Sequence, residues 1–167
     1  MEGLKRRKVE EGTTRLVPYD EQYVAAYNEA MKSTELQELT GSEPLTLEEE
    51  HAMCAKWAAD PNMLCLLVVD ADGRFIGDVN AHRGDEGVAE VDVMICRPED
   101  RRCGHASRAL QMLFGLLGEV EGIAVLEAKI KLGNAASIGL FEKKLGFTEH
   151  SVSDAFQEVT FRRALRP

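Results

Sequence analysis

The chain has 167 residues, 44% of them hydrophobic and 29% charged, which is typical of one globular domain. Its 29 acidic and 20 basic residues give a net charge of −9, which argues against a general nucleic-acid binder because such proteins need a basic surface. The sequence has no membrane-spanning apolar run, and its four cysteines lack metal-site spacing. We expect a cytoplasmic protein without a metal or membrane partner, with a flexible segment over 1–12 and a single domain over 13–165.

The first half of the chain carries patterns that predict both helices and strands. Asp20 is a suitable N-cap for a first helix, and the run from Thr46 to Glu49 has the form of a capping box that starts a second. Gly77 lies inside an otherwise regular strand and indicates a bulge or a close backbone approach. The predicted elements are a strand over 14–19, helices over 21–33 and 47–59, and antiparallel strands over 64–70 and 75–83.

The second half predicts a strand that leads through a glycine-containing turn into a helix. Pro98 ends the strand, and Gly104 precedes a strong helix-forming run. The predicted elements are strands over 89–96 and 125–130, helices over 104–119 and 134–145, and final strands over 147–152 and 156–163. Together they predict an α/β (α+β) fold, a mixed, mostly antiparallel, twisted sheet of about six to seven strands flanked by about four helices.

The turn before the third helix has the chemistry of an anion site. Arg101 and Arg102 lie just before Gly104, and the helix begins immediately after it. The first N–H groups of a helix have no partner within the helix, and the helix dipole favours negative charge there. A glycine also allows a ligand to approach the backbone closely. The turn therefore predicts a phosphate or pyrophosphate ligand.

Two motifs resemble those of the GNAT superfamily of N-acetyltransferases. Residues 101–106, RRCGHA, resemble the R/Q-x-x-G-x-G/A motif, and residues 134–137 with 141–147 resemble N-x-x-S followed by aromatic-x-K-x-x-G-F. The segments SEPLTLE at 42–48 and FQEVT at 156–160 are similar to the N-acetyltransferase 9-like branch of that superfamily. The resemblance implies a GNAT-type sheet and acetyl-coenzyme A (acetyl-CoA) as the co-substrate.

The resemblance also indicates which residues contact acetyl-CoA. The backbone amides of 103–107 would cradle the pyrophosphate, and the β-strand backbone near Ile95 would pair with the pantetheine arm and polarise the thioester carbonyl. Asn134 would bind the pantetheine amides, although its pattern fits a plain helix N-cap equally well. The residues expected at this site are Met94, Ile95, Arg101, Arg102, Cys103, Gly104, His105, Ala106, Ser107, Asn134 and Phe141.

Acetyl transfer to an amine also needs a base, because amines are largely protonated at neutral pH. Glu90 is the first candidate, since it lies close to the position of a strand glutamate in histone-type members of the superfamily. Asp92 shares its strand face and is the second candidate, and His82 is a weaker third. If Glu90 and Asp92 are buried together, their repulsion would raise one pKa. The alternative is that both are ordinary surface acids.

One residue departs from the superfamily pattern. Many members have a tyrosine, which protonates the departing thiolate, where Phe141 stands. Phenylalanine has no acidic proton. Either another group or water protonates the thiolate, or coenzyme A (CoA) leaves as the thiolate. We assign no general acid.

Three functions fit these observations. The first is an acetyl-CoA-dependent N-acetyltransferase acting on a protein or peptide amine, N-terminal or lysine, with tubulin implied by the resemblance to the 9-like branch. The second is a small-molecule acetyltransferase of the polyamine type, which the acidic composition also suits. The third is a CoA-binding interaction module with little turnover. Acceptor choice depends on loops over 35–44 and 151–155, whose geometry the sequence does not give.

Overall fold

A single sheet of eight strands forms the centre of the molecule. The computed structural model describes residues 1–166, and the strands follow the order β1-β2-β3-β4-β5-β6-β8-β7 across the sheet. Neighbours pair antiparallel except β5 and β6, which run parallel. The strands are β1 (Val9–Glu11), β2 (Thr14–Pro18), β3 (Met63–Val69), β4 (Phe75–Arg83), β5 (Val88–Ile95), β6 (Val125–Lys131), β7 (Thr148–Ser153) and β8 (Glu158–Ala164). The mixed, mostly antiparallel fold is confirmed, with a strand count slightly above the expectation.

Five α-helices flank the sheet. They are α1 (Glu21–Ala30), α2 (Thr34–Thr40), α3 (Leu47–Ala59), α4 (His105–Leu117) and α5 (Ala135–Gly139), with a π-helical turn over Leu140–Lys144 after α5. The Asp20 cap and the capping box of Thr46 and Glu49 are both present. The helix predicted over 134–145 is instead divided between α5 and the π-turn. The sequence did not predict α2, which is capped by Ser33 and ends at Gly41.

The helices cover the two faces of the sheet unequally. The apolar stripe of α4 packs with Val79 and Val91 in the larger core, on one face. Residues from α1, α2 and α3, including Tyr27 and Leu36, form a second core with Met94 on the other face. Since alternate strand residues face opposite sides, the polar residues of β4 and β5 that share the face of Met94 lie below α1.

The N-terminal segment, which the sequence predicted to be flexible, makes specific contacts. Leu4 is buried in the larger core, and β1 extends the sheet beside β2. Lys5 Nζ donates to the carbonyl oxygens of Trp57 at 2.9 Å and Ala58 at 2.8 Å. These carbonyls belong to the last turn of α3, which has no intrahelical donors for them. The segment therefore caps the C-terminus of α3 and adds an edge strand to the sheet.

The parallel pairing of β5 with β6 is short. It covers Val88–Glu90 against Val125–Glu127, while β5 continues to Ile95 and β6 to Lys131. Beyond Glu90, β5 remains bonded to β4 on one side, and β6 remains bonded to β8 on the other. The sheet is therefore split in its middle, and two strand edges face each other across the opening.

Gly77 allows the backbones of β4 and β5 to approach closely beside this opening. A Cβ atom at this position would lie 2.0 Å from the carbonyl oxygen of Met94, which is backbone and cannot move aside alone. The close approach predicted from the sequence is therefore confirmed.

We expect Gly77→Ala to lower the free energy of unfolding by about 2 kcal/mol or more, because the added methyl overpacks two paired strands. Urea denaturation measures this change. Gly115→Ala is the matched control: Gly115 lies in α4 with nothing within 4 Å of an added Cβ. The control should gain about 0.5–1 kcal/mol from helix propensity. Equal effects of both substitutions would contradict the close approach.

Candidate active site

The opening between β5 and β6 forms a cleft of about 340 Å³. Its walls include Glu90, Asp92 and Met94 from β5, Lys129 from β6, and Tyr27 from α1. The backbone of β5 beyond Glu90 has no strand partner on the cleft side. An extended ligand with amide groups can pair with such an edge as an added strand would. A second cavity, about 230 Å³, lies between the N-terminal segment and α3, with Lys5, Arg6 and Cys54 in its walls, and contains none of the predicted site residues.

The N-terminus of α4 lies at the end of the β5–α4 connection. Gly104 is its N-cap with φ of 85°, and no side chain caps the helix. The first N–H groups of α4, from His105 to Ser107, are therefore not satisfied by a capping side chain. Gly104 and Arg102, with φ of 60°, give the turn its left-handed bends. The geometry fits an anion on the backbone amides, as the sequence predicted.

The two arginines of the turn differ in their contacts. Arg101 donates to the Glu35 carboxylate at 2.7 and 3.2 Å and to the Ile95 carbonyl oxygen at 3.2 Å. Arg101 therefore connects α2 to the end of β5, and α2 was not predicted. Arg102 is exposed. Arg108, which the sequence analysis did not single out, donates to the Cys103 carbonyl oxygen at 3.0 Å and stabilises the turn.

Glu90 lines the cleft and forms an ion pair. Its Oε2 accepts from Lys129 Nζ at 2.6 Å, and both side chains are about two-fifths exposed. Lys129 also lies 3.6 Å from Glu127, and the two carboxylates raise the pKa of Lys129. A proton on Glu90 would remove its negative charge and so weaken the ion pair with Lys129.

Asp92 belongs to a polar network that continues into the sheet. Asn80 Nδ2 donates to Asp92 Oδ1 at 2.8 Å and to Asp78 Oδ2 at 3.0 Å. The Tyr27 hydroxyl also donates to Asp78 Oδ2, at 2.9 Å. Asp92 is exposed to the cleft, whereas Asp78 is 1% exposed. Two carboxylates thus share one amide donor, one at the cleft surface and one beneath it.

These surroundings shift the pKa values of the network. Burial and the charge of Asp92 raise the pKa of Asp78 to about 7, although hydrogen bonds from Asn80 and Tyr27 oppose the shift. Loss of hydration within the cleft walls also raises the pKa of Asp92. Burial raises the pKa of Tyr27, which therefore remains a hydrogen-bond donor. Such shifts are expected where carboxylates must exchange protons near neutral pH.

Asn134 and Phe141 form the opposite end of the cleft. Asn134 Oδ1 accepts from the Ser137 amide at 3.1 Å, so its N-cap role is present. Phe141 is buried, edge-on to Phe147 at a centroid distance of 5.0 Å, and lies in the π-turn. The structure thus places an apolar ring in the cleft wall. His82, the third candidate base, is exposed and lies beyond the residues that line the cleft.

Sequence reasoning missed Asp78, Asn80, Tyr27 and Lys129 as site residues. A signal was present for two of them. Asp78 and Asn80 are polar residues two positions apart in β4, whose other residues from Phe75 to Ala81 are apolar or glycine. A polar pair on one face of a buried strand indicates a network or a site. No local signal connects Tyr27 or Lys129 to that face.

Comparison with known proteins identifies the class. A model of the acetyltransferase (GNAT) domain matches residues 14–148. The chain belongs to the GNAT family and is an N-acetyltransferase with acetyl-CoA as its co-substrate. Within that family it is 39% identical over 162 residues to alpha/beta-tubulin-N-acetyltransferase 9 of Homo sapiens, covering 88% of this chain and 78% of the relative. It is 38% identical to the N-acetyltransferase 9-like protein of Caenorhabditis briggsae, covering 87% and 79%.

Solved structures agree on the fold. Spermidine N-acetyltransferase of Vibrio cholerae, in complex with CoA and spermine, matches with a TM-score of 0.83 at 16% identity, over 93% of this chain and 97% of that chain. The Salmonella typhimurium acetyltransferase that modifies the N-terminal serine of ribosomal protein L7/L12 matches with a TM-score of 0.82 at 16% identity, over 95% and 99%. At this identity the likeness establishes the fold alone.

Residues 1–166 lack a helix suited to membrane spanning and a side-chain cluster suited to metal binding. None of the helices in that range is both long and apolar enough to cross a membrane. The same range contains no group of three or more His, Cys, Asp or Glu side chains positioned to hold a metal ion.

We expect Gly104→Val to remove the increase in melting temperature that acetyl-CoA gives the wild-type protein, because valine cannot adopt φ of 85° without strain. Differential scanning fluorimetry with and without acetyl-CoA measures the effect. Gly115→Ala in the same helix should keep the full increase. A folded Gly104→Val protein that retains it would place the pyrophosphate elsewhere.

Proposed function

We propose that this N-acetyltransferase acetylates a protein amine, either an N-terminal α-amine or a lysine side chain, with tubulin as the first acceptor to test. The observation that carries the proposal is the carboxylate-lined cleft in mid-sheet, whose strand β5 leads through the following turn to the N-terminus of α4. Negative charge at the cleft attracts a cationic amine, while the helix end suits an anionic co-substrate. The choice of a protein acceptor is supported by relatives whose names specify tubulin.

Two parts of the chain would together hold acetyl-CoA, which supplies an activated acetyl group as a thioester. The amides of Cys103 to Ser107 and the side chain of Arg102 would hold the pyrophosphate. The β5 edge at Met94 and Ile95 would pair with the pantetheine amides, and an N–H near Ile95 would polarise the thioester carbonyl. Arg101, bound to Glu35 and to the β5 end, would instead fix the shape of the turn.

On the opposite wall, Asn134 would keep its cap on α5 and use its amide N–H groups toward the pantetheine. Its Oδ1 accepts from Ser137, so its Nδ2 donors are the atoms suited to a ligand carbonyl. Phe141 would contribute apolar contact alone. Because it has no acidic proton, we assign no general acid and expect CoA to leave as a thiolate or to be protonated by water.

Asp92 is the base that the contacts favour, and Glu90 is the alternative. An entering ammonium would give one proton to a carboxylate oxygen of the base, which leaves a lone pair on nitrogen. That nitrogen would bond to the acetyl carbon as the carbon–sulfur bond breaks, and its remaining extra proton would pass to solvent or to the thiolate. Asp92 has a raised pKa and an open side, whereas Glu90 is bound to Lys129.

The acceptor and the base can be tested in one series. Labelled acetyl-CoA is offered with tubulin, peptides bearing a free N-terminus or a lysine, and spermidine. Wild-type protein should label tubulin or the peptides, and kcat/KM should fall tenfold or more in Asp92→Asn because its base is lost. Glu90→Gln should change kcat/KM by less than about threefold. Both variants should keep the acetyl-CoA thermal shift.

Other outcomes have distinct meanings. A large loss in Glu90→Gln with little loss in Asp92→Asn would make Glu90 the base. Labelling of spermidine alone would replace the protein acceptor with a polyamine, and no labelling of any acceptor, despite acetyl-CoA binding, would favour a binding module. The matched control is Asp85→Asn, which removes one charge from the exposed turn after β4 and should leave the rates unchanged.

A further inference from the structure

We propose that Asp78, Asn80 and Asp92 act as one proton-holding unit, in which the buried Asp78 is a positioning residue that sets the strength of Asp92 as a base. This inference rests on the proposed function of the cleft and deepens it. The unit is defined by the two hydrogen bonds from the Asn80 amide nitrogen, one to each carboxylate.

The strand register brings the three residues together. Asn80 pairs directly with Asp92 across β4 and β5, and Asp78 lies two residues before Asn80 on the same face. Tyr27 covers Asp78 from α1 with a hydroxyl bond of 2.9 Å. Asp78 is only 1% exposed, and the Asn80 amide links it to Asp92, so its influence on the reaction would pass through Asn80 and Asp92.

Two buried oxygens of the unit lack a hydrogen-bond donor. Asp78 Oδ1 and Asn80 Oδ1 are both inaccessible and have no partner among the described residues. Unpaired buried acceptors are costly, and a buried carboxylate with one unpaired oxygen favours the protonated form. A proton on the Asp78 carboxyl would turn one acceptor into a donor. The geometry is thus that of two carboxylates that retain one proton between them.

The surrounding charges do not neutralise the pair. Lys129 and Lys131, which line the cleft, are engaged by Glu90 at 2.6 Å and by Glu158 at 3.0 Å. The titratable groups around the pair are Tyr27 from α1, Cys65 from β3, Glu90 from β5, and Cys96 just after the end of β5. Burial raises the pKa values of the tyrosine and both thiols, so these three groups are neutral near pH 7.

The sign of the effect follows from like-charge repulsion. While Asp78 is charged, a proton on Asp92 relieves the repulsion, so Asp92 is a stronger base than an isolated aspartate. The active form is then the fully ionised pair. Activity should rise with pH as the last proton leaves the pair, in the region of the raised pKa of about 7 for Asp78.

The test compares pH profiles of kcat/KM for wild-type protein, Asp78→Asn and the control Asp85→Asn, all with one acceptor. The acceptor's own ionisation is then common to every profile. In Asp78→Asn, Asp92 loses its charged neighbour, so the acid limb of the kcat/KM profile should shift to lower pH by about one unit or more. The plateau value of kcat/KM should fall about three- to tenfold, because Asp92 is then a weaker base. Asp85→Asn should match the wild type. An unmoved limb in Asp78→Asn, even with lower rates, would overturn the proposal.

A second measurement does not depend on turnover or on the folding of Asp78→Asn. Carbon-13 NMR of the aspartate carboxyl groups should show a titration near neutral pH in wild-type protein, and Asp92→Asn should move it to lower pH because the like charge is gone. The absence of such a titration, or one unchanged in Asp92→Asn, would contradict the pair. If wild-type protein transfers no acetyl group, the proposed function fails, whereas this titration still tests the coupling.

Discussion

The separation of β5 from β6 is the constraint on which the rest of the site depends. Three residues of each strand pair in parallel, and both strands then continue while bonded to other neighbours. Because every backbone N–H and C=O needs a partner, an unpaired edge inside a sheet is unfavourable unless water or a ligand satisfies it. A ligand with amide groups can therefore replace water along this edge and pair with the β5 backbone. The second motif of the family lies at its far wall, where Asn134 caps α5.

Opposite electrostatic features lie at the two ends of β5. At its C-terminal end, the turn leads to the uncapped N-terminus of α4, which favours an anion. Along the strand, Glu90 and Asp92 give the cleft negative charge, and Asp78 adds a carboxylate beneath them. One strand can therefore place an anionic co-substrate beside a cationic acceptor without bringing their charged groups into the same space. Gly77 permits the close approach of β4 to β5 at the C-terminal end of this strand.

The parts of this arrangement that follow local rules could be predicted from the sequence. The strand over 88–95, its turn and the start of α4 are encoded by alternation, Pro98 and Gly104. The helix α2 escaped prediction because it is only seven residues long and is followed directly by the turn-forming residues 41–44, although Leu, Gln and Glu within it favour a helix. The strand β1 escaped because its sequence, VEE, lacks alternation and forms through pairing with β2.

The proton chemistry was less accessible from the sequence, because it depends on contacts between distant segments. Glu90 was the first candidate base, yet its ion pair with Lys129 links residues 39 positions apart. Asp78 became part of the site through burial below Tyr27, 51 positions away in the chain. A pKa depends on such partners more than on the residue type, so the motif located the cleft but could not rank its carboxylates.

In the proposed binding mode, acetyl-CoA occupies the opening between β5 and β6 with its pyrophosphate on α4. Hydrogen–deuterium exchange with and without acetyl-CoA is a direct test of this binding mode, because bound ligand groups protect the amides that they contact. We expect slower exchange in two segments, 91–95 on β5 and 103–107 at the α4 N-terminus. Protection around the second cavity, at Lys5, Arg6 and Cys54, with no change in those two segments, would contradict this binding mode.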